Sequence, residues 1–234
     1  MRTANIVIVG SLNLDFIVRV ERAPQRGETI PGSQFVTLPG GKGANQACAV
    51  GRLARPDTAA MIGCVGQDVY GQQLLESLRA CGVDNRYVRG APEAATGVAM
   101  ILVEACGQNQ IVVVPGANDC LRPADVTEAL TALGGSHLLL QLESPLGTVT
   151  AAAAHARSLG MTVILDPAPA RELSAELLSN VDILTPNESE ALALVGAPGD
   201  RIALADASDV ARRLLALGPR RVILKLGAQG AFLA

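Results

Sequence analysis

From His137 to Leu226 the sequence alternates short apolar runs with amphipathic or alanine-rich stretches, and this alternation restricts the fold more than any other feature. The runs at 137–142, 162–166, 181–184 and 221–226 have strand length, and the stretches at about 146–159, 175–179, 188–195 and 206–217 read as helices. Parallel strands need a crossover between them, and a helix in each crossover covers a face of the sheet. The expected class is α/β, a three-layer α/β/α sandwich around a mostly parallel central sheet. A chain of 234 residues, 49% of them hydrophobic, buries such a core as one domain without staples.

Open sheets of this kind place ligands at the carboxyl ends of their strands, so the residues that follow each strand matter most. After the apolar run Ile6 to Val9 come Asn13-Leu14-Asp15, and after Leu138 to Leu142 comes Glu143. Between them lies Gly40-Gly41-Lys42-Gly43-Ala44-Asn45, opening an expected helix from Ala44 to Ala54. Glycines let the main chain approach a ligand, and a helix start offers unpaired N–H groups with partial positive charge. Lys42 and Asn45 add side-chain donors. Taken residue by residue, bland roles stay open. The hexapeptide is also a strand-to-helix turn capped by Asn45, Asp15 a turn or hinge carboxylate, and Glu143 an acid before the helix that Ser144-Pro145 begins. Asn187 and Glu190 have capping-box spacing, Lys225 to Gly230 reads as an ordinary turn after a strand, and Asp166-Pro167 as a turn start.

The first half is less regular. Phe16 to Val20, Thr29 to Leu38, Gly97 to Val103 and Gln110 to Val114 look extended, with Gly107-Gln108-Asn109 as a turn. They are too short and one-sided for parallel core strands. A net charge of −3 without a basic face, and only two Tyr, three Phe and no Trp, argue against nucleic acid as a partner. No apolar run reaches membrane-span length. The start, Met1-Arg2-Thr3-Ala4-Asn5, leads into a strand without a signal-peptide pattern, so a cytoplasmic location is expected. The five cysteines form no C-x-x-C pair and are expected as reduced core thiols. No Walker loop, dinucleotide fingerprint or zinc spacing occurs, and His137, which opens an apolar strand, and His155, on an alanine-rich helix, are expected to be structural or solvent-facing rather than partners of a catalytic nucleophile.

Six ordered motifs carry a resemblance. They are Gly10-Ser11-Leu12-Asn13-Leu14-Asp15, Gly40 to Ala47, Gly63-Cys64-Val65-Gly66-Gln67-Asp68, Gln141-Leu142-Glu143-Ser144-Pro145, Asp166-Pro167-Ala168-Pro169-Ala170-Arg171 and Thr185-Pro186-Asn187-Glu188-Ser189-Glu190. With them the sequence resembles the ribokinase-like (phosphofructokinase B-type) family of carbohydrate kinases, and Lys42 points to the branch acting on ribose. The resemblance implies a ribokinase-like domain over 1–234, with a small β-sheet lid from segments of about 14–39 and 96–115 that covers the sugar and mediates a homodimer. It implies Mg2+-dependent transfer of the ATP γ-phosphoryl to the 5-hydroxyl of D-ribose, usually with K+ activation. Asn13, Asp15, Gly41, Lys42, Gly43, Ala44, Asn45 and Glu143 would bind the sugar. Asn187 and Lys225, Leu226, Gly227, Ala228, Gln229 and Gly230 would bind the nucleotide, and Glu190 would organise the metal shell. The resemblance also places the catalytic base in a Gly-Ala-Gly-Asp motif, which does not occur here, so the chain is expected to be C-terminally incomplete. Alternative expectations are a kinase for another sugar or a nucleoside, and a non-catalytic sugar-binding module.

Overall fold

The computed structural model describes residues 5–55 and 57–234. Residues 1–4, part of the stretch read as free of a signal peptide, lie outside the described residues. In chain order the strands are β1 Ile6–Val9, β2 Asn13–Val20, β3 Gln34–Gly40, β4 Ala59–Gly66, β5 Asp84–Ala91, β6 Gly97–Glu104, β7 Asn109–Val114, β8 His137–Leu140, β9 Thr162–Leu165, β10 Ile183–Leu184, β11 Arg221–Lys225 and β12 Ala231–Leu233. The helices are α1 Lys42–Leu53, α2 Val69–Ala80, α3 Pro123–Leu133, α4 Leu146–Ser158, α5 Ala175–Ser179, α6 Glu188–Leu194 and α7 Ala207–Leu215.

Eight strands form the central sheet in the order β12-β11-β10-β9-β8-β1-β4-β5, parallel throughout except for β12 against β11. Because side chains alternate along a strand, β1 feeds two cores. Val7 and Val9 join Val126, Leu130, Val149 and Ala152 of α3 and α4 on one face, while Ile8 joins Ala44, Ala47, Leu74 and Leu78 of α1 and α2 on the other. On that second face Leu139, Ile164, Ile183 and Ile223 are only half-buried.

The central strands end close to where the sequence puts them, and three findings differ from expectation. The irregular first half contributes two further strands to the central sheet, β4 and the edge strand β5, and β4 is buried at all eight positions. Its run Ala59-Ala60-Met61-Ile62-Gly63-Cys64-Val65-Gly66 is continuous rather than alternating, because a central parallel strand is covered on both faces. Helix α1 begins at Lys42, two residues early, because Gly41 at φ 89° turns the chain directly out of β3. Of the five free cysteines only Cys64 and Cys81 are buried; Cys106 is exposed in the turn before β7, so it is not a core thiol.

The expected second sheet is present, in the order β3-β2-β6-β7, with β2 and β6 parallel and the outer pairs antiparallel. Phe16 on β2 ties it to the body, stacking on Phe35 at 6.1 Å and meeting Tyr70 of α2 edge-on at 5.5 Å. All six residues of β7 are exposed.

Candidate functional site

At the carboxyl ends of β1 and β8, three segments meet around one carboxylate. Glu143 Oε2 accepts a 2.6 Å hydrogen bond from Ser11 Oγ and a 3.1 Å bond from the Lys42 backbone N–H at the first turn of α1. Ser11 Oγ in turn accepts the Gly43 N–H at 3.4 Å. The negative group thus sits where the helix supplies free N–H groups and partial positive charge, but the helix is α1, 101 positions away, and not α4, which follows Glu143 in sequence. Gly43 makes this possible: a Cβ there would lie 2.6 to 2.8 Å from backbone atoms of Gly10 and Ser11.

Asp15 on β2 lies over Gly40, where any Cβ would collide with its carboxylate. Burial, and then the charge of Glu143, push its carboxyl above the ordinary aspartate range. Two carboxylates close enough to feel each other, one tied to a helix start, offer acceptors to hydroxyl groups. Asn13 and Glu143 line a cavity of about 430 Å3 together with Asn118, Ser144, Pro169 and Arg171. Arg171 Nη1 donates to the Leu142 carbonyl at 3.3 Å.

A second cluster follows β9, β10 and β11 at the same sheet edge. Asn187 caps α6 by accepting the Glu190 N–H at 2.8 Å, and Glu190 Oε2 accepts the Asn187 N–H at 2.8 Å, completing the capping box. Lys225 Nζ pairs with Asp166 Oδ1 at 2.8 Å, although 59 positions separate them. The turn after Lys225 is closed by the Leu226 N–H to the Gly230 carbonyl at 2.8 Å, and Gly227 and Gly230 have φ of 55° and 89°. Gly227 to Gly230 are exposed, so their backbone groups are accessible, whereas the Leu226 side chain belongs to the core. Among the described residues, no group of three or more His, Cys, Asp or Glu side chains is arranged to hold a metal ion, and no helix is long and apolar enough to cross a membrane.

Asn13, Asp15, Gly41, Lys42, Gly43 and Glu143 are therefore brought together, with Ala44 packed beneath them in the core. Asn45 departs from the group. It is exposed and lines a different groove, with Leu38, Cys48, Arg52 and Ser77, because the early start of α1 turns it toward α2. Sequence reasoning missed Ser11 as an anchor and Asn118 altogether. Asn118 sits in a Gly-Ala-Asn-Asp turn with no apolar periodicity, so only its depth, at 2% exposed, marks it.

The pfkB family carbohydrate kinase profile matches residues 3–234. The chain is 42% identical to the ribokinase of Schizosaccharomyces pombe, with 97% of this chain and 74% of that protein covered. It is 39% identical to the ribokinase of Bacillus subtilis, covering 97% and 73% respectively. The structure of Arabidopsis thaliana ribokinase complexed with ribose and ATP superposes with a TM-score of 0.85 at 34% identity, over 99% of this chain and 74% of that one.

Proposed function

The chain belongs to the pfkB family of carbohydrate kinases, and from that premise we propose that it serves ribokinase chemistry, transfer of the γ-phosphoryl group of ATP to the 5-hydroxyl of D-ribose. The observation that carries this reading is the Glu143 carboxylate held by Ser11 and the α1 start beside Asp15 and Asn13. A sugar is a ring of hydroxyls, each both donor and acceptor. Asp15 and Glu143 accept from two of them, Asn13 adds its amide, and the Gly41 to Ala44 backbone closes over the ring. Asn45 serves this site only if the lid and α1 close further on the sugar. A half-buried set of this kind, once a sugar covers it, rejects sugars that leave one of its groups unpaired. The name of the Schizosaccharomyces pombe relative and the ribose and ATP of the plant structure agree with this assignment.

The nucleotide belongs at the second cluster, against Asn187 and the exposed turn from Lys225 to Gly230. Lys225 is positioned there by Asp166. Glu190 fits a magnesium role of limited extent: one oxygen is used by the helix cap, and the other remains for an ion that keeps most of its waters and takes few carboxylates. When bound, magnesium supplies charge neutralisation on the phosphates. Phosphoryl transfer depends chiefly on positioning and charge, and these residues position the sugar and hold the phosphate end. No residue of this chain is assigned as the base or to potassium. The apolar face of β7 favours a homodimer through the small sheet.

Calorimetric titration with D-ribose tests the substrate, and ribose-dependent ADP release from ATP with magnesium tests the transfer. Saturable ribose binding that is lost in Glu143→Ala is expected. No saturable binding by the unsubstituted protein overturns the sugar assignment.

A further inference from the structure

Four crossings join the small sheet to the body, before β2, after β3, before β6 and after β7, and one side chain holds two of them. Asn118 lies in the turn after β7 and is 2% exposed. Its Oδ1 accepts the Leu12 N–H at 2.8 Å, and its Nδ2 donates to the Leu12 carbonyl at 3.1 Å, the Pro115 carbonyl at 2.9 Å and Asn13 Oδ1 at 2.8 Å. An N–H can be accepted only by the amide oxygen, and the two carbonyls can be met only by the amide nitrogen. The orientation of Asn118 is therefore fixed by backbone on both sides.

That orientation determines Asn13. The end of Asn13 facing Asn118 Nδ2 must be its oxygen, so the NH2 group is the end left for the cavity that Asn13 lines. Among the described residues Asn13 Nδ2 donates to no protein group. Gly97, opposite Asn13 in β6, preserves the pair, since a Cβ there would run into both Asn118 Nδ2 and Asn13 Oδ1. We propose that Asn118 is a positioning residue of the sugar site, locking Asn13 so that it presents a hydrogen-bond donor to a sugar oxygen while Asp15 and Glu143 present acceptors. The inference rests on the sugar-site reading above and deepens it. It assigns the polarity of the pocket: one sugar oxygen is read as an acceptor and two hydroxyls are read as donors.

Calorimetry with D-ribose and its monodeoxy and deoxyfluoro analogues tests this on the full chain. For the unsubstituted protein, the analogue lacking the oxygen that faces Asn13 Nδ2 is expected to bind roughly ten- to a hundredfold more weakly than ribose, and the analogue with fluorine in its place, which accepts but cannot donate, more tightly than that deoxy analogue. Asn118→Asp keeps an acceptor for Leu12 but has no donor, so the Asn13 amide turns and offers its oxygen to the sugar. A ribose hydroxyl can still donate to that oxygen but fluorine cannot, so at that position the order inverts and the fluoro analogue binds more weakly than the deoxy one, while the other positions keep their order. A merely structural defect weakens every sugar alike. Asn13→Asp keeps the bond from Asn118 and replaces the free NH2 by oxygen, so it yields the same analogue pattern even where Asn118→Asp fails to fold. An unchanged analogue pattern in Asn13→Asp, or in folded Asn118→Asp, overturns the inference. Absence of saturable ribose binding to the unsubstituted protein overturns the sugar-site reading, and the inference with it.

Discussion

Replacing Gly43 by alanine adds one methyl group at the point where α1 meets the end of β1. A Cβ there would stand 2.6 Å from Gly10 C, 2.7 Å from Ser11 N and 2.8 Å from Gly10 Cα. All three are backbone atoms of a central strand's exit and cannot swing aside. Carbon contacts relax at about 3.5 Å or more, so the start of α1 must retreat by roughly 0.7 to 0.9 Å. The Lys42 N–H to Glu143 bond, now 3.1 Å, would open past hydrogen-bonding range, as would the 3.4 Å bond from Gly43 to Ser11. Overpacking of about 1–3 kcal/mol and loss of a bond to a charged acceptor of about 1.5–3 kcal/mol give an expected cost of about 2.5–6 kcal/mol. For a domain of this length that lowers Tm by about 5–24 °C. Gly147→Ala is the matched control, since Gly147 is likewise the second residue of its helix, α4, and has nothing within 4 Å of the added Cβ. It is expected to raise Tm by about 1–4 °C, through a gain of about 0.4–1 kcal/mol. Thermal unfolding by circular dichroism and ribose calorimetry read both variants. Gly43→Ala melting within about 2 °C of the unsubstituted protein, with unchanged ribose affinity, would refute the close-approach reasoning.

Burial and the Glu143 charge raise the Asp15 carboxyl, so the native chain holds this proton to a higher pH than the unfolded chain does, and stability falls as pH rises through the raised value. Asp15→Asn is expected to remove that fall, which runs from the ordinary aspartate range up through the raised value, and to raise Tm at neutral pH while weakening ribose binding; a lower neutral Tm with normal ribose binding contradicts both. Burial also pushes Asp68 upward, but bonds from the Thr96 hydroxyl and from the N–H groups of Thr96, Gly71 and Tyr70 outweigh it and hold the carboxyl below the ordinary range. The stabilisation from Asp68 is thus present above the ordinary aspartate range and lost as pH falls through the lowered value. Asp68→Ala should cost about 2–4 kcal/mol at neutral pH in chemical denaturation, through the lost α2 cap and the stranded Thr96 N–H, and a neutral substitution would show the network to be idle. Val112→Lys on exposed β7 is expected to convert a dimer to a monomer by light scattering, and a monomeric mass for the unsubstituted chain would remove the basis for that interface.

Periodicity and capping act within a few residues, so they can be read from the chain directly. The α/β class, the strands and helices from His137 onward and the Asn187 and Glu190 box belong to this group. The small sheet was legible as extended segments, but its pairing was not. Strand β4 escaped because a strand buried on both faces has no alternation to detect. The carboxylates were findable as polar residues at strand ends, yet their partners were not. Glu143 looked like an acid belonging to the helix that follows it, and the sheet order delivers it instead to α1, because β8 lies directly beside β1. Lys225 meets Asp166 since β9, β10 and β11 are successive neighbours in the sheet, and Asn118 reaches Asn13 because the exit of β7 folds back on the entry of β2. The sequence alone determined which elements form and which chemical groups stand at their ends, since both depend on local spacing. Which of those groups share a site was decided by the lateral order of the strands, a property of long-range pairing that no local pattern encodes.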